Sequence, residues 1–74
     1  MPIKKTRDIE KAYSTAEFVS KLRRLADALE AGNKFTIQIA GERINVPVGA
    51  VFNVEHERSA KAEEVEFQIK WSRC

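Results

Sequence analysis

The residue types that most often bind metals or act in catalysis are scarce in this chain. It has one histidine, His56, and one cysteine, Cys74, eighteen positions apart in a sequence of 74 residues. A zinc site needs about four closely spaced histidine, cysteine or carboxylate ligands. Glu55 and Glu57 flank His56, but alternate residues of a strand point to opposite faces, so the imidazole would face away from both. The pattern predicts a structural His56 and no metal.

The other signals for catalysis are weak as well. Cys74 is the last residue, where a nucleophile is hard to hold beside a base. The three glycines lie far apart, and each follows a predicted helix or strand, so they do not predict a phosphate-binding loop. Four glutamates are expected on a solvated sheet face, where nothing in the sequence buries them for acid–base work. They are Glu55, Glu57, Glu64 and Glu66. We expect neither an enzyme nor a cofactor site, and the lone thiol favours a cytoplasmic protein.

The surplus of positive charge lies at the start of the chain. Lysine and arginine number 13 against 11 acidic residues, a net charge of +2. The bases of the first segment, residues 1–13, are Lys4, Lys5, Arg7 and Lys11. We interpret this segment as a solvated end or a charged edge strand near residues 3–8, with contact to nucleic acid as the alternative. No apolar run approaches the roughly 18–20 residues of a membrane span, and no secretory apolar stretch is seen, so no membrane partner is expected.

One helix is marked by a start signal, a periodicity and a stop signal. Ser14 and Glu17 have the spacing of a capping box, in which each side chain bonds to the backbone N–H of the other residue. Gly32 can take the left-handed conformation that ends a helix. The apolar residues between them recur at helical spacing and share one face. They are Phe18, Leu22, Leu25, Ala26 and Leu29. These signals predict a helix over residues 15–31.

Downstream of Gly32 apolar residues alternate with polar ones, which is typical of half-buried strands. A two-residue turn at Gly41-Glu42 suits a hairpin with glycine at the first central position. The apolar pairs of this first hairpin would be Phe35–Val48, Ile37–Val46 and Ile39–Ile44. A second hairpin, with its connection centred on Ala60-Lys61, would pair Phe52 with Ile69, Val54 with Phe67 and His56 with Val65. Each register places the apolar residues on one face.

These elements predict an α+β domain over residues 14–74, in which the helix packs on one face of a four-stranded antiparallel meander. A short extra N-terminal edge strand could precede the helix. Below about 70–80 residues a single core rarely supplies more than ~3–5 kcal/mol. Either a well-idealised core or association with a partner or a second copy would therefore stabilise the fold.

Two segments together resemble a known family. The helix ends in Leu-Ala-Asp-Ala-Leu-Glu-Ala-Gly at residues 25–32, and the last strand reads Glu-Val-Glu-Phe-Gln-Ile-Lys-Trp at residues 64–71. Over about residues 14–71 this combination resembles the Amphi-Trp domain family, small prokaryotic domains named for an amphipathic strand and its tryptophan. The resemblance implies a domain found alone or appended to larger proteins, without an assigned activity, and it draws attention to Trp71. Residues 1–13 match no pattern of that family.

We therefore expect a non-enzymatic interaction or assembly module that makes contact through a sheet edge or the polar sheet face, with a homodimer as one option. The candidate contact residues are Trp71, Lys70, Gln68, Lys4, Lys5 and Arg7. Trp71 is either a packing residue at the rim of the sheet or a partly exposed anchor for a partner. The alternative function is that of a nucleic-acid-associated accessory protein that uses the basic N-terminal arm.

Overall fold

The chain folds into one helix followed by four strands, in the α+β class that the sequence predicts. The computed structural model describes residues 6–73. The elements are α1 (Thr15–Ala31), β1 (Phe35–Ile39), β2 (Glu42–Val46), β3 (Val51–Arg58) and β4 (Glu63–Lys70). Residues 6–14 belong to no helix or strand. The edge strand expected near residues 3–8 is therefore absent from 6–8, and the rest of that prediction lies outside the described residues.

Helix α1 begins and ends where the sequence predicts. The Ser14 hydroxyl accepts from the Glu17 backbone N–H at 3.2 Å, and the Ser14 backbone N–H donates to Glu17 Oε1 at 3.1 Å. Both bonds satisfy donors that an uncapped helix leaves free. At the other end Gly32 has φ 73°, and the Asn33 N–H donates to the Ala28 carbonyl at 2.9 Å. The capping residues therefore define both helix ends.

The first hairpin, β1–β2, has a different register from the predicted one. Its pairs are Phe35–Val46, Ile37–Ile44 and Ile39–Glu42, whereas the prediction placed Val48 opposite Phe35. The turn residues are Ala40 and Gly41, with φ of 48° and 87°. Positive φ at both central positions is the geometry of a type I′ turn, which matches the twist of the strands. The glycine therefore takes the second turn position, and the two-residue shift leaves each side chain on its predicted face.

The second hairpin, β3–β4, has the predicted register. Phe52 lies opposite Ile69, Val54 opposite Phe67, and His56 opposite Val65. Ser59 closes the tip, since its N–H donates to the Ala62 carbonyl at 2.8 Å.

The four strands do not form the predicted single meander. Within the described residues β1 pairs only with β2, and β3 only with β4, so there are two two-stranded sheets. Pro47 directly follows β2 and has no N–H to donate to a ladder. The Ala50 N–H then donates to the Pro47 carbonyl at 3.2 Å and closes a turn. This turn separates the end of β2 from the start of β3, and the two strands do not pair.

The core is small and lies between the helix and the first hairpin. Phe35, Val46 and Ala50 are buried, and the apolar side chains packed against them are Leu25, Ala28, Ile37 and Ile69. The backbone of α1 approaches β1 and no other strand of residues 6–73. Arg24 fixes this contact, because its guanidinium donates to the Thr36 carbonyl at 2.6 Å and lies 5.2 Å from the Phe35 ring centre.

The sequence predicts that the helix covers the whole apolar sheet surface. Within residues 6–73 the helix contacts only the first hairpin, so this prediction is wrong. Consecutive helical residues are about 100° apart, so Ala28 and Arg24 face directions about 80° and about 120° from Phe18. Leu25 lies about 20° from Phe18 on that same side, and Leu22 lies on the other side. The helix meets the hairpin with the edge of its apolar stripe. The centre of that stripe is left without a partner in the chain.

Candidate interaction surfaces

The second hairpin presents an uncovered apolar face. Its side chains are 50% to 71% exposed, the highest value being that of Phe67. We call this set the hairpin face; it consists of Phe52, Val54, Val65 and Phe67. Only Ile69, at the base of the hairpin, packs against the core. These four large apolar side chains lie together on one side of a two-stranded ribbon, which makes them one apolar surface and not scattered surface residues.

The helix presents a second uncovered apolar surface. Phe18, Leu22 and Leu29 are 54%, 41% and 40% exposed, with Val19 beside them. We call these four residues the helix stripe. The sequence predicts Phe18, Leu22 and Leu29 as residues that pack on the sheet, which is wrong for this chain. Leu25 alone among the larger residues of the predicted stripe reaches the core.

The opposite side of the second hairpin is polar and acidic. Glu55 lies opposite Glu66, and Glu57 lies opposite Glu64. The neighbouring Glu66 carboxylate, followed by that of Glu57, raises the pKa of Glu64 above its ordinary value. Like charges placed directly across a ladder repel each other. This face is therefore suited to water or to a cationic partner, and a second acidic face would be repelled.

Gln68 is bound within that acidic face. Its carbonyl oxygen accepts from Asn53, and its amide donates to Glu55 at 3.2 Å. These bonds offset some of the repulsion across the strands. Gln68, one of the predicted contact residues, therefore has partners within the hairpin.

A charged cluster lies at the tip of the hairpin face. His56 Nε2 lies 2.8 Å from Glu63 Oε2, and Arg58 Nε and Nη2 each donate to the same oxygen at 3.1 Å. These side chains are about half exposed or more. The sequence predicts a structural His56 that faces away from Glu55 and Glu57. The partnership with Glu63 was missed, although the predicted register already puts residues 56, 58 and 63 on one face.

Trp71 borders an open groove beside the first hairpin. It follows β4, and 37% of its surface is exposed. The groove has a volume of about 860 Å³, and its walls include Arg7, Arg43 and Arg73 with Glu42. Lys70 and Trp71 also line a smaller depression next to Pro47. Trp71 is thus partly covered and partly exposed, and it shares the groove with three arginines.

Arg7 fixes the N-terminal segment to the first hairpin. Its Nη1 lies 3.0 Å from Glu42 Oε1, and its Nη2 donates to the Ile39 carbonyl at 2.8 Å. The carbonyls of Ile39 and Ala40 lie at the turn, so Arg7 supports the turn as well as adding charge to the groove. Lys4 and Lys5, the other bases predicted as contacts in this arm, lie outside the described residues.

Residues 6–73 contain no cluster of three or more histidine, cysteine, aspartate or glutamate side chains with the geometry of a metal site. Within the same range, α1 is neither long nor apolar enough to cross a membrane.

Comparison with known proteins gives one finding. No curated protein and no solved structure matches the chain significantly. A family model, that of the Amphi-Trp domain, matches residues 1–74. The match is wider than the resemblance over residues 14–71, because it includes the basic first segment. Since the model covers the whole sequence, the chain belongs to the Amphi-Trp domain family.

Proposed function

We propose that this domain is a non-enzymatic protein-interaction module that works by covering its two apolar surfaces with a protein partner. The observation that carries the proposal is the simultaneous exposure of the hairpin face and the helix stripe. A monomer seldom exposes a contiguous apolar patch of more than a few hundred Å² unless the patch binds something. Here two such surfaces occur in one small chain.

The accessible surface area supports the same conclusion. A compact monomer of 8.4 kDa exposes about 4,600 Å², whereas this chain exposes 6709 Å². The six residues outside the described range account for at most about 1,000 Å² of the difference, at the ~1.45 Å² per dalton of an unfolded chain. An excess of about 1,100 Å² or more remains, and residues 6–14, which belong to no helix or strand, contribute to it together with the hairpin face and the helix stripe.

The sequence predicts contact through a sheet edge or the polar sheet face. Among residues 6–73 each strand pairs on one side only, so unpaired edges are available for strand addition. The polar face is a weaker candidate, because its glutamates repel one another and Gln68 is already bound there. We therefore assign the main contact to the hairpin face, with the edges as an additional element.

The test compares two substitutions on neighbouring residues of β4. Phe67→Lys puts a charge on the hairpin face, and Glu66→Lys puts the same charge on the opposite face. A tagged chain, expressed in its own cells, is separated by size in a native extract. We expect the wild type and Glu66→Lys in particles larger than one chain, and Phe67→Lys at the size of a single chain. A single-chain particle for all three proteins would refute the proposal.

We infer that the module acts in the prokaryotic cytoplasm. The single thiol of the sequence supports this, since disulfides dominate in oxidising compartments. Fractionation of the tagged protein, with recovery in the cytoplasmic fraction, is the expected result.

A second candidate function has one observation in its favour. Arg7, Arg43 and Arg73 line the same groove beside the first hairpin as Trp71. An aromatic surface with nearby guanidinium groups is the combination that binds single-stranded nucleic acid. This candidate extends the predicted role of the basic arm, although Glu42 neutralises part of the charge of Arg7.

Trp71 is the only tryptophan, so its fluorescence reports directly on that groove. If the groove binds single-stranded nucleic acid, an oligonucleotide quenches the Trp71 fluorescence at low salt. The logarithm of the binding constant then falls linearly with the logarithm of the salt concentration. Arg43→Gln should weaken binding and reduce the slope. An unchanged spectrum at low salt would exclude this candidate and leave the interaction module unaffected.

A further inference from the structure

We propose that the partner is a second copy of this chain, and that the hairpin face of each copy packs on the helix stripe of the other. This inference rests on the proposed function and adds the identity and geometry of the partner. It uses the two apolar surfaces of the described residues that have no cover within the chain.

The two surfaces are complementary in kind. A stable α+β domain packs the apolar stripe of a helix on the apolar face of a sheet. In this chain α1 approaches only β1, so the second hairpin has a sheet face without a helix and α1 has a stripe without a sheet. A second copy supplies both missing halves of the layer pair.

The two surfaces also match in length. Helix α1 has 17 residues and is about 26 Å long. Each strand of the second hairpin has 8 residues and is also about 26 Å long. The hairpin face extends over three pairs on one side of the ladder, Phe52–Ile69, Val54–Phe67 and His56–Val65. On the helix, Phe18 to Leu29 extend over about three turns.

The arrangement closes with two chains. A two-fold axis relates two identical contacts, in which the helix of one copy meets the hairpin of the other. Each copy then covers the four side chains of the hairpin face and the four of the helix stripe, so sixteen exposed apolar side chains leave water in the dimer.

The charges of the second hairpin favour packing through the hairpin face over packing through the polar face. The glutamates of the second hairpin lie on the side away from the hairpin face, so they stay in water when the apolar face is covered. Packing of two polar faces would instead bring Glu57 and Glu64 of each copy together, where the pKa of Glu64 is already raised by its neighbours. The cluster of His56, Arg58 and Glu63 remains as a polar rim at the tip.

The first measurement is the mass of the purified chain by light scattering. We expect twice 8.4 kDa at micromolar concentration. Leu22→Glu and Phe67→Lys should each weaken the dimer by at least about a hundredfold, because each places two buried charges in the contact. Glu66→Lys is the matched control and should leave the mass unchanged.

Mixing the two variants tests the reciprocal geometry. In a mixed dimer, one contact contains only wild-type residues, and the other brings the two substituted positions together, so that the introduced carboxylate and the introduced ammonium form an ion pair. We expect the mixture of Leu22→Glu and Phe67→Lys to recover the dimer mass and the circular dichroism of the folded protein. This rescue is informative even if each variant alone is unfolded.

The outcomes separate the two proposals. If the purified chain is a monomer but is part of a larger particle in the cell extract, the proposed homodimer is wrong and the proposed interaction function stands. A dimer that Phe67→Lys does not weaken, or a mixture that fails to reassociate, would overturn the helix-to-hairpin contact. A single chain both in the extract and after purification would overturn both proposals.

Discussion

Replacement of Phe35 by alanine should remove most of the stability of the single chain. Phe35 is 6% exposed and is one of three buried residues in the core. Truncation of a buried phenylalanine costs about 3–5 kcal/mol, and the loss of the Arg24 guanidinium contact adds about 0.5–1 kcal/mol. A core of this size supplies about 3–5 kcal/mol in total. We therefore expect Phe35→Ala to be largely unfolded, and Phe35→Leu to lose less than about 1.5 kcal/mol.

Phe67→Ala is the matched control, because the same atoms are removed from a site that is 71% exposed in the single chain. Burial of the covered part of that ring contributes less than about 1 kcal/mol to the free energy of unfolding. Urea unfolding followed by circular dichroism measures both variants at low and high protein concentration, since stability gained by association depends on concentration. Phe35→Ala should lose stability at both concentrations, and Phe67→Ala mainly at the higher one. A loss for Phe67→Ala at high dilution equal to that for Phe35→Ala would refute the assignment of the core.

Four further substitutions have expected signs. Ser14→Ala removes the capping box and should lower the free energy of unfolding by about 0.5–2 kcal/mol in urea titrations. Ala40→Asn should raise the melting temperature, because Asn-Gly suits the positive φ at both turn positions; an unchanged or lower value would contradict the turn type. The pKa of Glu64 is raised by Glu66 and Glu57, so the folded state binds the proton more tightly and its stability increases as pH falls through that pKa. The pKa of Glu17 is lowered by the Ser14 N–H, so its contribution is lost as pH falls through that lowered value. Glu64→Gln should therefore stabilise the protein at neutral pH, and Glu17→Gln should destabilise it. Melting temperatures measured at several pH values check this, and a change in the same direction for both variants would contradict the assigned causes.

The parts of the fold that could be predicted from the sequence depend on local signals. Ser14, Glu17 and Gly32 determine the ends of α1 through bonds within a few residues. The alternation in β3 and β4 has only one register that places the apolar residues together, and that register is present.

The parts that could not be predicted depend on contacts between elements. Gly41 suits either the first or the second position of a two-residue turn, and both choices keep the apolar residues of the first hairpin on one face. Pro47 has no N–H to donate to a ladder, but its effect on the pairing of β2 with β3 depends on where the next turn directs the chain. The rotation of α1 is determined by Arg24, whose bond to the Thr36 carbonyl has no signal in the periodicity.

The candidate contacts show the same division. Trp71 and Arg7 were identified from residue type and charge, and both line the groove. The hairpin face was identified as apolar but was expected to be covered by α1. Apolar patterning tells which side of a strand avoids water, whereas it does not tell whether the cover comes from the same chain.

The pairing of each strand with its immediate neighbour along the chain has a consequence for folding kinetics. Both hairpins close over short loops, so their contact order is low and loop closure costs little entropy. Isolated two-stranded hairpins are only marginally stable in water, so the second hairpin should form and open many times before it is captured. If two chains associate as proposed, refolding should end in a diffusional encounter between them, with a rate that increases with protein concentration.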